Sequence, residues 1–280
     1  MAQDKYGLRE LPKDKNDFKL GALFALPELD ELPESFELTT PFKIKNQGQT
    51  DFCSSYSSCG ISELQEGVEL DPIYSFALSK EVSGDPDAWG QDLRSSMKAH
   101  QKWGGLPLKY TLNQPKIAQP RVLDSYPTDY LTMAEKHKKQ SYFSVTGQYD
   151  SFDNIRSSIW RFKEEKQAVA IGVIWSWGIG DYILDTVADS GFGHAMYVTG
   201  WDSDGLCVVN SYGEQAGHNG KHRMSRGVIN AFAPRFGTYM MVDMPPEQAK
   251  ELLSRREWSL ASFWEKVWIY ITRVMKSLWI

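Results

Sequence analysis

The hydrophobic period of this 280-residue chain changes once, and that change restricts the fold more than any other feature. Up to about residue 166 the apolar positions recur at helical spacing. Phe52, Tyr56, Cys59, Gly60 and Leu64 form one such stretch, which predicts a helix from Cys53 to about Val68. Further helices are expected over Pro72–Lys80, Asp92–Trp103 and Asp153–Lys166. From Ala168 onward the pattern becomes short apolar runs between Gly-, Asp- and Asn-rich turns: Ala168–Trp175, Ala195–Trp201, Gly205–Asn210, Lys221–Met224 and Gly237–Val242. Helices first and strands later define an α+β protein in which a helical part packs beside an antiparallel sheet.

Three units follow from the punctuation. Residues 1–35 are polar and then broken by Pro12, Pro27 and Pro33, and are expected to form an extended segment laid over a main domain at 36–245. Within that domain, Lys136-His137-Lys138-Lys139 reads as a solvated surface run. After Pro245-Pro246 the character changes again. Leu260, Trp264, Val267, Ile271, Val274 and Leu278 step by fours and threes, so 246–280 is expected to hold an amphipathic helix. Its longest uncharged run, Val267–Thr272, is far short of the ~20 residues a bilayer span needs. Three readings stay open for this segment: docking on the protein's own surface, lying in a membrane interface, or pairing with a protein partner through 258–280.

Net charge and cysteine count exclude some classes. A formal charge of −5 gives no long-range attraction to phosphate, so nucleic acid is not an expected partner. Cys53, Cys59 and Cys207 are too few for a disulfide framework, and the odd count leaves a thiol free in a monomer. Cys53 and Cys59 stand about 9 Å apart along one helix axis, too far to bridge. With no signal-like stretch in Met1–Lys15, the expected setting is a reducing cytoplasm, with peripheral membrane contact one of the readings for the last segment.

Four positions could carry chemistry. Singly, each has a plain structural explanation: Cys53 as a small buried apolar residue, His194 as a histidine at a strand start, Asn210 as a turn former, Gln47 as a loop residue. Jointly they suggest more. Cys53 falls in the first turn of a helix, where free N–H groups and the dipole favour a thiolate. Gln47, with Gly48 after it, can turn its carboxamide back toward the sulfur, and with the Cys53 N–H would supply two oxyanion donors. Asn210 ends the strand after the one that His194 opens. Asp51 suits an N-cap for the Cys53 helix.

The segment Asn46-Gln47-Gly48-Gln49-Thr50-Asp51-Phe52-Cys53-Ser54-Ser55-Tyr56-Ser57 resembles the active-cysteine segment of papain-like cysteine peptidases. Gly193-His194-Ala195 with Gly200-Trp201, and Asn210-Ser211-Tyr212-Gly213 with Asn219-Gly220, are similar to that family's histidine and asparagine segments. His194 follows Cys53 at about the separation seen in such enzymes. The resemblance covers roughly residues 34–243. It implies a two-lobed fold, a helical lobe carrying Cys53 and an antiparallel barrel-like lobe carrying His194 and Asn210, with a peptide or protein substrate between them. The implied roles are Cys53 as a thiolate nucleophile paired with the His194 imidazolium, Asn210 orienting the ring, Gln47 holding the oxyanion, and Gly90 contacting the substrate backbone. The alternative is a catalytically silent papain-like domain that binds peptides or serves an assembly.

Departures from the family pattern accompany these matches. Ser54 stands where an aromatic residue is usual, Thr50 where a disulfide cysteine is usual, Tyr212 in place of the tryptophan that shields the Asn–His bond, and Ala216 near a second lost tryptophan. Asp51, two residues from the thiol, is expected to raise its pKa and make a slower or more alkaline enzyme. No long prodomain precedes the domain, and latency by that route is not expected. His218 and His222 are four apart, but Gly220 lies between and no third ligand completes a metal site. No metal and no cofactor is expected.

Overall fold

A computed structural model describes residues 7–11, 17–111 and 122–243. The amphipathic helix expected in 246–280, and the membrane and partner readings attached to it, lie outside the described residues.

The helical lobe is built on α2 (Cys53–Glu66), α3 (Pro72–Ser83) and α4 (Leu93–Lys102). Their starts follow from capping chemistry. Asp71 accepts from the N–H groups of Ile73 and Tyr74 at 2.8 and 3.3 Å, with Pro72 at the first helical position, and Asp92 accepts from Ser95 N–H at 2.9 Å. α2 is buried almost all round, and small residues (Ser54, Ser55, Ser57, Ser58, Gly60) let neighbours approach it closely. A short α5 (Asp129–Glu135) closes a second apolar cluster of Tyr74, Leu78, Ala99, Leu106, Tyr130 and Ala134 against this lobe.

The other lobe is an eight-stranded sheet: β1 (Phe36–Glu37), β2 (Ser141–Ser144), β3 (Val169–Trp175), β4 (Ile183–Leu184), β5 (Phe192–Asp202), β6 (Gly205–Val209), β7 (Lys221–Met224) and β8 (Thr238–Val242). The order is β2-β8-β3-β5-β6-β7-β4, with β1 on β5, and all pairs are antiparallel except β4 with β7. β3 is buried at every residue, because α7 (Arg226–Phe236) packs against it and the helical lobe lies across the sheet. α6 (Ser151–Arg161), capped by Asp150 on Asp153 N–H, packs against α7. Two registers matter for the site: Val173 opposite His194, and Val208 opposite His222.

Two expectations need correction, and one helix carries no sequence expectation. The lead-in is not merely laid on the surface: α1 (Leu20–Leu23) inserts Leu20 and Leu23 into the main core, and Asp17 bonds both Arg94 of α4 and Tyr239 of β8. Lys139 is not solvated; it is 1% exposed and reaches Glu66 at 2.6 Å, while His137 meets the other oxygen of the same carboxylate. The end of α2 thus supplies a charge that draws in part of the basic run. Finally, α7 was hidden by its internal Pro234, although Ser225 caps it on Val228 N–H and Val228, Ile229, Phe232 and Phe236 hold one face.

Candidate active site

Cys53 opens α2 at the seam between the lobes and is buried. Its sulfur accepts hydrogen bonds from the main chain of Ala195, Ser54 and Cys53, which favour the thiolate. Burial outweighs them, the Asp51 charge adds to it, and the thiol is pushed up to about 12. Asp51 does not cap α2: Phe52 is the N-cap residue and no side chain bonds there. The Asp51 carboxylate instead accepts the Gly90 N–H, tying the turn before Cys53 to the loop before α4.

His194 and Asn210 come together as the spacing suggested, with Nε2 and Oδ1 2.8 Å apart. The Ser211 N–H, an unambiguous donor, also meets Asn210 Oδ1, at 2.7 Å. That oxygen is therefore an acceptor on both sides, and His194 Nε2 carries the hydrogen. Tyr212 stacks on the imidazole at 4.7 Å with the planes 5° apart, and its hydroxyl lies 3.4 Å from Nδ1. Trp175 of β3 packs edge-on against His194, Tyr212 and His222 at 5.3–5.6 Å. Tyr212 and a tryptophan from another strand thus both pack against the His194 ring. Burial, opposed by the Asn210 bond, pulls His194 down to about 4. Among the described residues no hydrogen bond joins the Cys53 sulfur to this ring, and burial disfavours the charged form of each group.

Gln47 is buried beside Asn210. Its Nε2 donates to the Thr50 carbonyl at 2.7 Å, and its Oε1 accepts from the Ser211 hydroxyl. Its carboxamide is fixed by the loop and by the residue after Asn210, with one amide hydrogen still uncommitted by these bonds. Gly90 lies on the cleft wall with φ +66°, its carbonyl held by Lys80 Nζ at 2.6 Å.

The cleft is occupied by the chain's own N-terminal segment. Gly7–Leu11 crosses it extended: Gln91 N–H donates to the Gly7 carbonyl at 2.9 Å, and Arg9 N–H to the Gln91 carbonyl at 3.2 Å. On the opposite wall Leu8 N–H meets the Gly193 carbonyl at 2.9 Å and Leu11 N–H the Arg235 carbonyl at 3.1 Å. Leu8 is buried beside Gly172 and Phe236. A Cβ on Gly7 would stand 2.7 Å from the Cys53 sulfur, and one on Gly90 would stand 2.0 Å from the Gly7 carbonyl oxygen. This segment passes over the Cys53 sulfur.

Sequence reasoning missed Trp175, His222 and the Gly7–Leu11 strap. His222 had a signal: in β7 the residues at 222 and 224 are the inward pair of a period-two pattern. His218 and His222 do not converge as metal ligands, since His222 is bonded to Asn210 Nδ2 at 3.0 Å and to the Asp181 carbonyl at 2.6 Å.

A helical lobe presenting a cysteine at a helix start, set against an antiparallel sheet presenting histidine and asparagine on adjoining strands, is the papain-like cysteine protease fold, and this chain has it. Solved structures agree. Xylellain, a cysteine protease from Xylella fastidiosa, matches with a TM-score of 0.69 and 17% identity over 86% of this chain and 97% of that one. Digestive procathepsin L 3 from Tenebrio molitor larval midgut matches at 0.63 and 16% identity, over 85% and 76% of the two chains. Bromelain from Ananas comosus, in complex with the E64 inhibitor, matches at 0.55 and 16% identity, over 76% and 100%. No protein-family model and no curated protein sequence matches the chain.

Proposed function

We propose that the protein is a cysteine peptidase that hydrolyses peptide bonds. One observation carries this reading: an extended stretch of polypeptide lies main-chain-bonded to both cleft walls and passes directly over the Cys53 sulfur. A groove that holds its own backbone this way has the donors and acceptors to hold a substrate's.

In the reaction, the Cys53 sulfur attacks the scissile carbonyl carbon as His194 Nδ1 takes the thiol proton. The oxyanion is met by the Cys53 N–H and by the amide hydrogen of Gln47. The C–N bond then breaks, the amine leaves with the proton from His194, and water, deprotonated by the same nitrogen, hydrolyses the thioester. Asn210 holds the ring throughout, and Gly90 borders the substrate backbone.

The burial of Cys53 and His194, which disfavours charge on both, favours a second reading, a peptide-binding domain without turnover. An epoxide or chloromethylketone probe discriminates. The peptidase reading expects covalent labelling of Cys53 that falls at least about a hundredfold in His194→Ala. Labelling at the same rate in both proteins supports the silent domain.

A further inference from the structure

His222 lies behind Asn210, and no part of the mechanism above uses it. It is fully buried on β7, one strand beyond the β6 end that carries Asn210, with the Trp175 ring edge-on at 5.5 Å. Its contacts have only one consistent direction. The Asp181 carbonyl, 2.6 Å from Nδ1, accepts, so Nδ1 carries the hydrogen and Nε2 is a lone pair. Asn210 Nδ2, 3.0 Å away, donates to that lone pair. Asn210 Oδ1 faces the other way, toward His194 Nε2. The result is a directed chain: Asp181 carbonyl, His222, Asn210, His194.

We propose that His222 is a positioning residue. By accepting from Asn210 Nδ2 it holds the amide with its oxygen on His194, keeping His194 as the Nε2–H tautomer and leaving Nδ1 as the base. The Ser211 N–H pins the same oxygen from the loop side, so Asn210 has two contacts besides the one to His194, and His222 is the one made by its donor end. Without that acceptor, Nδ2 would be a buried donor with nothing to meet, and rotation of the amide would become a competing way to satisfy it. The relay stands on geometry alone; only its effect on rate rests on the peptidase reading.

The wild-type protein tests the relay directly. In long-range 1H–15N spectra of the full chain, neutral His222 should be the Nδ1–H tautomer and neutral His194 the Nε2–H tautomer. The same tautomer at both residues overturns the proposal. Two variants extend the test. His222→Leu, which has no acceptor, should leave His194 a mixture of tautomers and lower kcat/KM about tenfold. His222→Gln, whose side-chain oxygen can replace the lost acceptor, should restore the Nε2–H signature and bring the rate within about threefold of wild type. A His194 tautomer unchanged in His222→Leu also overturns it. A wild type that cleaves nothing yet shows the opposed tautomers sinks the peptidase reading and leaves the relay standing.

Discussion

Two cysteine–histidine pairs border the same helix, and the pair with a sulfur–ring hydrogen-bond contact is the one with no means of reacting. Cys59, in the middle of α2, has its sulfur 3.9 Å from His100 Nε2 and 3.2 Å from the Ser75 hydroxyl, with Ser62 at the other ring nitrogen. Burial raises the Cys59 thiol, helped by Glu63, and lowers His100 to about 3. Both groups are sealed between α2, α3 and α4. Cys53 and His194 are likewise buried, with charge disfavoured on each, yet their setting differs in three respects. The sulfur sits at a helix start among main-chain donors, the imidazole has a fixed tautomer, and an extended polypeptide segment passes over the sulfur. Proximity of thiol and ring does not make a site; access and proton direction do.

The largest expected effect separates the two thiols. Cys53→Ser should reduce kcat/KM on a peptide substrate by at least about a thousandfold, because a serine hydroxyl without the thiol's acidity loses the nucleophile. Cys59→Ser should leave kcat/KM within about threefold and lower unfolding free energy by about 1–2 kcal/mol, read by urea titration. Equal losses of activity in both variants would erase the distinction.

The same contrast shows what the chain made legible. Cys53, His194 and Asn210 could be singled out because their three segments resemble those of papain-like peptidases, and helix and strand periods put them on elements able to meet. The fold class followed from the switch in period at Ala168. What stayed hidden depends on contacts between distant elements. Asp51 looked like a cap because it precedes a helix, but its partner is Gly90, 39 residues on. Lys139 looked solvated because its neighbours are charged, but Glu66 pulls it inside. The strap looked like a lead-in because five polar and apolar residues carry no period; only the meeting of Gly7 with Gly90 and Cys53 gives it a place. Gln47 was expected to turn its carboxamide toward the sulfur; its tether to Ser211 could be seen only by knowing that the two lobes meet there.

An intermediate effect compares the two histidines through acid. His100 at about 3 and His194 at about 4 both lie below the ordinary 6.5. The unfolded chain therefore binds protons first as pH falls. Stability from these groups is complete above about 6.5 and is lost as pH drops toward 3–4. In urea titrations between pH 6 and 4, His100→Gln should flatten the fall in unfolding free energy by roughly 1 kcal/mol per pH unit, since one proton no longer drives it. An identical slope in wild type and variant would show that His100 is already charged in the fold, and the helical-lobe pair would not be the sealed one described above.

The smallest effect concerns the strap, and it asks whether access alone distinguishes Cys53. Leu8 anchors the segment by burying its side chain beside Phe236, a contact worth about 1.5–3 kcal/mol. Leu8→Asp places a charge in that apolar position and should release the strap. Because burial is the leading cause of the raised thiol, opening the cleft should lower its pKa. Alkylation of Cys53 by iodoacetamide at pH 8 should then accelerate about tenfold, with Cys59 unchanged as the internal control. In wild type the rate should climb about tenfold per pH unit across the neutral and alkaline range, since thiolate is scarce throughout; in the variant it should level off at lower pH. If Cys53 and Cys59 accelerate together, the substitution has loosened α2 as a whole. If neither changes, the sulfur is masked by the lobes rather than by the strap, and the difference between the two pairs reduces to the histidine and what holds it.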